Sequence, residues 1–332
     1  MFERLRREAP PMMDVAFLLS NDEPPPCEAG MSSQELVHVT LSDLFRLGYP
    51  EKCRAADWEM AGNLDLVFLE FARRRPYYDR YWFVEYDVHW EGNWSVFFER
   101  FRRTGADLLA TTILPIDEVP HKRAVLSYPR LVMPAALNWT SANLLKGFLP
   151  ICRLSRRALQ ALHDAYQAGL GGHYEITVPS IAAQTGMRVE DIGGNGPYVR
   201  PENRNRFYFA QAGTYSHSPG TFVFRPAQKV LPYQNTLWHP VKPAGVSLWH
   251  PLLLTGSPLK TLIERAKPLV SHCITRLWFA TVWRPLRDQD TGQKRPARSR
   301  KAFKAGTKRG LSRLRWAGPR AASRKRRRGT RP

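Results

Sequence analysis

The segment Tyr81-Trp82-Phe83-Val84-Glu85-Tyr86-Asp87-Val88 constrains the fold of this chain more than any other. Its apolar run reads as a buried strand, and it ends in two carboxylates spaced two apart. Side chains two apart on a strand share a face, so Glu85 and Asp87 are expected to point the same way. Carboxylates arranged like this can hold a divalent cation through oxygen ligands, and the cation could hold a substrate's phosphates. The competing readings are a solvated pair or a cap on the following helix. The apolar lead-in and the bulky flank of Trp82, Trp90 and Trp94 favour the metal site.

Further strands are predicted over residues 14–19, 36–40, 107–113 and 187–192, which are apolar or β-branched. Helices are predicted between them. Ser42 caps a short one over 43–47, and Asn63 precedes another over 64–74, which Pro76 stops. Trp94, Phe97, Phe98 and Phe101 recur at three and four, an apolar stripe that reads as core packing. Ser155 caps a helix carrying Leu159, Leu162 and Tyr166, and residues 176–184 form the last helix. The order β-α-β-α-β-α-β predicts an α/β sandwich with a largely parallel sheet. After Gly193 the chain reads as irregular, with a short strand over 221–225.

The net charge of +21 suggests a polyanion binder until it is mapped. Residues 284–332 hold nineteen basic and two acidic residues, a local charge of +17, which leaves +4 for the rest. The expected organisation is an extension over 1–13, a catalytic domain over 14–283 and a basic tail over 284–332. The tail is poor in large apolar residues, so disorder is expected there. Its run Arg324-Lys325-Arg326-Arg327-Arg328 suits phosphate polyanions or an anionic membrane, where each basic residue contributes about 1 kcal/mol. Cys27, Cys53, Cys152 and Cys273 form no C-x-x-C pair, which speaks against a zinc ribbon or a disulfide framework and favours a reducing compartment. The charged N-terminus lacks the apolar core of a signal peptide, and no apolar run reaches the roughly 18 residues of a membrane span. A cytoplasmic location, peripheral at the inner membrane face, is the expectation.

Four more places carry candidate chemistry. Glu175 follows Gly171-Gly172-His173-Tyr174 and stands at a predicted helix start. It reads either as a general base on a cleft loop or as a carboxylate favoured by the helix dipole. Asp191, at the end of the next strand, is the second candidate for the base. Gly147-Phe148-Leu149-Pro150 reads as a turn that could bring the backbone and Arg153 towards a substrate. Gly193-Gly194-Asn195-Gly196-Pro197 lacks P-loop spacing. Asn195 and Arg200 are ligand candidates there, against the plainer reading of a surface loop. His239 offers an imidazole to a metal, and Lys242 an ammonium to a diphosphate. The Trp-His-Pro of Trp238-His239-Pro240 recurs at Trp249-His250-Pro251, so His250 competes with His239.

These motifs resemble those of GT-A-fold glycosyltransferases, bacterial members of which read W-F-x-E-Y-D-V followed by G-x-W. Glu85-Tyr86-Asp87 resembles the acidic metal-binding motif, although Glu-x-Asp replaces the common Asp-x-Asp. Residues 147–155 resemble the glycine-containing loop, His173-Tyr174-Glu175 the catalytic motif, and His239-Pro240-Val241-Lys242 the C-terminal metal histidine. The resemblance spans about residues 14–242. It implies a GT-A-like (Rossmann-like) α/β/α sandwich and a divalent cation, manganese or magnesium, on Glu85, Asp87 and His239. It further implies Arg153 and Lys242 at a nucleotide-sugar donor, and Glu175 as base towards a glycan or lipid-linked acceptor. The alternative is a nucleic-acid or anionic-membrane binder acting through the tail.

Overall fold

The apolar run forms the central strand β3 (Arg80–Glu85), and its alternation divides the core. Tyr81 and Phe83 enter one apolar cluster, while Trp82 and Val84 enter another on the opposite face. The computed structural model describes residues 1–20, 35–53, 62–119, 131–135, 139, 143–209, 220–224, 227, 230, 232–242 and the backbone of 276–283. His250 and the basic tail lie outside these residues.

The elements follow in chain order. They begin with α1 (Phe2–Glu8), β1 (Met13–Ser20), β2 (Leu36–Val39), α2 (Leu41–Phe45) and α3 (Leu64–Arg74). After β3 come β4 (His89–Glu91), α4 (Trp94–Arg102), β5 (Leu108–Pro115) and β6 (Leu145–Ser155). The last are α5 (Arg156–Gln167), α6 (Tyr174–Gln184), β7 (Val189–Asp191), β8 (Thr236–Trp238) and β9 (Arg276–Trp283). Seven strands form one sheet in the order β2-β1-β9-β3-β6-β5-β7, and β4 pairs with β8 in a second.

The sheet is mixed, which corrects the expectation of a largely parallel one. β1–β2 and β5–β7 pair in parallel. The pairings β1–β9, β9–β3, β3–β6 and β6–β5 are antiparallel. Strands β1, β2, β3, β5 and β7 therefore share one direction, while β9 and β6 run against them on either side of β3. The segment expected as a turn around Gly147 is in fact β6. Its register against β5 slips between Leu109 and Thr111, so Pro150, which has no N–H to give, falls in an irregular stretch of the ladder.

Residues of α3, α5 and α6 pack on one face of the sheet and those of α1 and α4 on the other. Phe97, Phe98 and Phe101 of α4 close over Trp82 at ring separations of 5.5, 5.5 and 6.1 Å. Each such buried side chain contributes about 1.5–3 kcal/mol. Residues 1–13 are part of this layer: α1 buries Phe2 and Leu5, and Glu8 accepts a bond from Trp94 N at the start of α4. Ser155 caps α5 by accepting from Ala158 N at 3.0 Å. The cap of α2 is Thr40 rather than Ser42, because Thr40 and Asp43 close a reciprocal capping box two residues earlier.

Candidate metal centre

Strand β3 stops at Glu85, and Val88 N donates to Glu85 O at 3.1 Å, closing a turn. Asp87 therefore stands on that turn and not on the strand, yet the two carboxylates converge. The two-stranded sheet supplies the third group. Pairing of His89 with Trp238 lays the 236–242 segment beside the turn, and Val241 N donates to Asp87 O at 2.8 Å. His239 arrives next to Glu85 as a result.

His239 Nε2 lies 3.2 Å from Glu85 Oε2 and 3.4 Å from Asp87 Oδ1. One ligand atom from each of the three lies within 4.8 Å of the others, the one such group among the described residues. On the other side of the ring, His239 Nδ1 donates to Val223 O at 2.7 Å. That bond fixes the ring and turns Nε2 towards the carboxylates, the arrangement a metal-binding imidazole needs. Phe148 and Phe222 wall the ring at 5.2 and 5.3 Å.

Burial opposes charge on His239, but the carboxylates of Asp87 and Glu85 beside Nε2 outweigh it and raise its pKa from 6.5 to about 9. Asp87 is 5% exposed. Burial pushes its pKa up, yet His239 and Lys242 pull harder, and it falls to about 2. Among the described residues, Asp87 Oδ1 receives no hydrogen bond. A buried oxygen whose nearest cationic neighbour, His239 Nε2, stands off at 3.4 Å is under-satisfied and calls for a closer partner. A divalent cation fits: two carboxylates and one imidazole on one side, with the proton on Nε2 giving way to it.

The other predicted residues are distributed as follows. Lys242 Nζ donates to Asp87 Oδ2 and to Tyr86 OH, and lies 4.8 Å from the Tyr86 ring centroid, so it borders the centre. Glu175 opens α6 and is nearly buried, with His173 Nδ1 accepting from its N–H at 3.3 Å. Its charge faces Lys146, whose pKa burial lowers and Glu175 raises, the burial prevailing. Lys146 Nζ sits 5.7 Å from the Phe148 centroid, and Phe148 packs against His239, so β6 carries residues next to both Glu175 and the triad. Lys146 was not anticipated. Its signal was a lone cation within the apolar stretch Leu144-Leu145-Lys146-Gly147-Phe148.

Three further candidates are engaged by the packing around them. Arg153 is fully buried on β6, donates to the backbone oxygens of Phe101, Thr104 and Ala106, and lies 5.7 Å from the Trp82 ring, so it braces the core. Asp191 is also fully engaged: Oδ2 accepts from Ile113 N, and Oδ1 from Gly193 N and Tyr208 OH. Burial pushes its pKa up to about 7 against those bonds, and it ties the glycine loop to β5. Arg200 forms a two-pronged pair with Glu190, leaving Asn195 exposed on the loop.

No protein-family model, curated protein or solved structure matches the chain. Among the described residues, no helix is long and apolar enough to cross a membrane.

Proposed function

We propose that the protein is a GT-A-like glycosyltransferase that moves a sugar from a nucleotide-sugar donor to an acceptor hydroxyl on a glycan or lipid-linked acceptor. The observation that carries this reading is the convergence of Glu85, Asp87 and His239 at the end of a central strand, around an Asp87 Oδ1 that His239 Nε2 approaches only to 3.4 Å and that receives no hydrogen bond among the described residues. Ligands of open α/β sheets bind at that edge. A mixed set of two carboxylates and one imidazole suits manganese better than magnesium, which prefers oxygen alone.

A cation held there supplies Lewis-acid stabilisation of the leaving diphosphate. Lys242, on the open side of Asp87, adds an ammonium to the same charge. Glu175 takes the proton from the acceptor hydroxyl. That oxygen forms its bond to the anomeric carbon as the bond to the diphosphate breaks and the diphosphate leaves with the electron pair. Lys146, when protonated, is the counter-charge to an ionised Glu175. Arg153 has no part in donor binding on this reading.

Calorimetry with UDP and GDP, with manganese and with chelator, tests the donor side. Cation-dependent binding lost in Asp87→Asn is expected, and equal affinity in all arms removes the metal from the reading. Glu175→Gln tests the base: turnover should fall about 10²–10⁴-fold with donor binding kept.

The tail reading rests on the charge of +17 in residues 284–332. Deleting residues 287–332 separates the two, because an enzyme keeps nucleotide binding and a tail-driven binder loses its steeply salt-dependent affinity for DNA or anionic vesicles.

A further inference from the structure

Glu175 stands in the first turn of α6, which one buried polar chain fastens on both sides. Lys52 Nζ donates to Gly172 O at 2.8 Å, three residues before Glu175. The same ammonium meets Asp65, in the first turn of α3, at 3.0 Å to Oδ1 and 2.7 Å to Oδ2. Asp65 also accepts from Leu66 N at 3.1 Å and from the hydroxyl of Tyr166 on α5. Tyr166 OH lies 2.8 Å from Thr177 Oγ1, two residues after Glu175. The carboxylate takes the tyrosine's one proton, so Thr177 is the donor in the last link. Lys52, Asp65, Tyr166 and Thr177 are all buried.

The backbone here is shaped to receive these bonds. Gly172 has φ +131, and a Cβ on Gly171 would stand 2.7 Å from Glu51 Cβ, so only glycine lets the 51–52 segment come this close. Gly171 also exchanges two backbone bonds with Val132, at 3.0 and 3.1 Å. Apolar residues would fill the same volume without the desolvation cost of a buried pair. They could not grip a carbonyl at one end and a threonine hydroxyl at the other.

The geometry points to Lys52, Asp65 and Tyr166 as positioning residues that fix the 172–177 turn and thereby place Glu175, an inference that rests on the base role proposed for Glu175. Lys146, whose charge faces Glu175, belongs to β6.

Lys52→Met combined with Asp65→Leu removes both charges, so neither is left buried alone. Tyr166→Phe is the milder variant: it keeps the ring and breaks the link to Thr177. In the full chain, the ¹³C resonance of the Glu175 carboxyl is recorded together with amide exchange at Ile176 and Thr177, both bonded to His173 O. Manganese affinity and melting temperature are measured alongside.

The carboxyl resonance should shift in both variants, and the two amides should exchange about tenfold faster or more, with manganese affinity unchanged. Donor turnover should fall by up to about 10²-fold with KM for the donor kept. An unshifted resonance and unchanged exchange in Tyr166→Phe and in the double variant overturn the inference. Full turnover in Glu175→Gln would instead remove the base reading, while the resonance still decides whether the turn is held.

Discussion

Asp65 and Asp87 are both buried, and each meets a lysine that lies within reach of a tyrosine. Around Asp65, Lys52, Tyr166 and Leu66 N occupy the carboxylate from every side. Around Asp87, Lys242 holds Oδ2 and bonds Tyr86, but Oδ1 has no hydrogen bond among the described residues. The lysines differ in the same sense: Lys52 is fully buried, whereas the Lys242 side chain is 29% exposed. A carboxylate whose acceptors are all supplied by the chain is part of the scaffold. One left a bond short, with a second carboxylate and an imidazole beside it, is built for something the chain does not supply.

The largest effect expected from this contrast is on stability. Lys52→Met leaves Asp65 charged and alone in the interior, and should lower the unfolding free energy by about 3–5 kcal/mol. Urea denaturation gives the number, and manganese should not restore it. A loss under 1 kcal/mol would mean that the Asp65 cluster is far wetter than it stands here.

Next is a pH dependence confined to the Asp87 cluster. The folded pKa of His239, about 9, lies above its ordinary 6.5. Its contacts with Glu85 and Asp87 therefore contribute fully below pH 6.5 and are lost as the pH rises through 9. The contribution at stake is about 3 kcal/mol. Melting curves of the metal-free protein should show this decline and those of His239→Gln should not. Parallel declines in the two proteins would remove His239 as the cause.

The smallest effect repeats the first substitution at the other lysine. Lys242→Met should cost about 1 kcal/mol or less, because solvent screens the partly exposed ammonium and His239 still faces Asp87. A cost equal to that of Lys52→Met would erase the distinction between the clusters.

Legibility from sequence follows the same division between local and distant causes. The strands β1, β2, β3, β5 and β7 and the helices α3 to α6 announce themselves by periodicity and punctuation, which are local. The two strands of the seven-stranded sheet that escaped, β6 and β9, are the two that run against the rest. Gly147 and Pro150 disguise β6, and only its slipped register against β5 makes room for the proline. β9 follows a long separation in sequence, and its place between β1 and β3 is set by both partners. The site divides likewise. Glu85 and Asp87 are legible from spacing, although a turn and not the strand brings them together. His239 depends on the β4–β8 pairing, which no short window contains. Arg153 was read from the Gly147 turn and Asp191 from a strand end, and only contacts reveal that backbone groups, with the Tyr208 hydroxyl, engage them.

Manganese titrated calorimetrically into the metal-free protein at pH 7 tests the central claim, that Glu85, Asp87 and His239 form a cation site. One cation per chain is expected. A heat that varies with the buffer is also expected, since His239 must shed its Nε2 proton to bind. Asp87→Asn and His239→Gln should each abolish binding, while Lys52→Met combined with Asp65→Leu should bind as the wild type does. Manganese binding undiminished in Asp87→Asn would contradict the account.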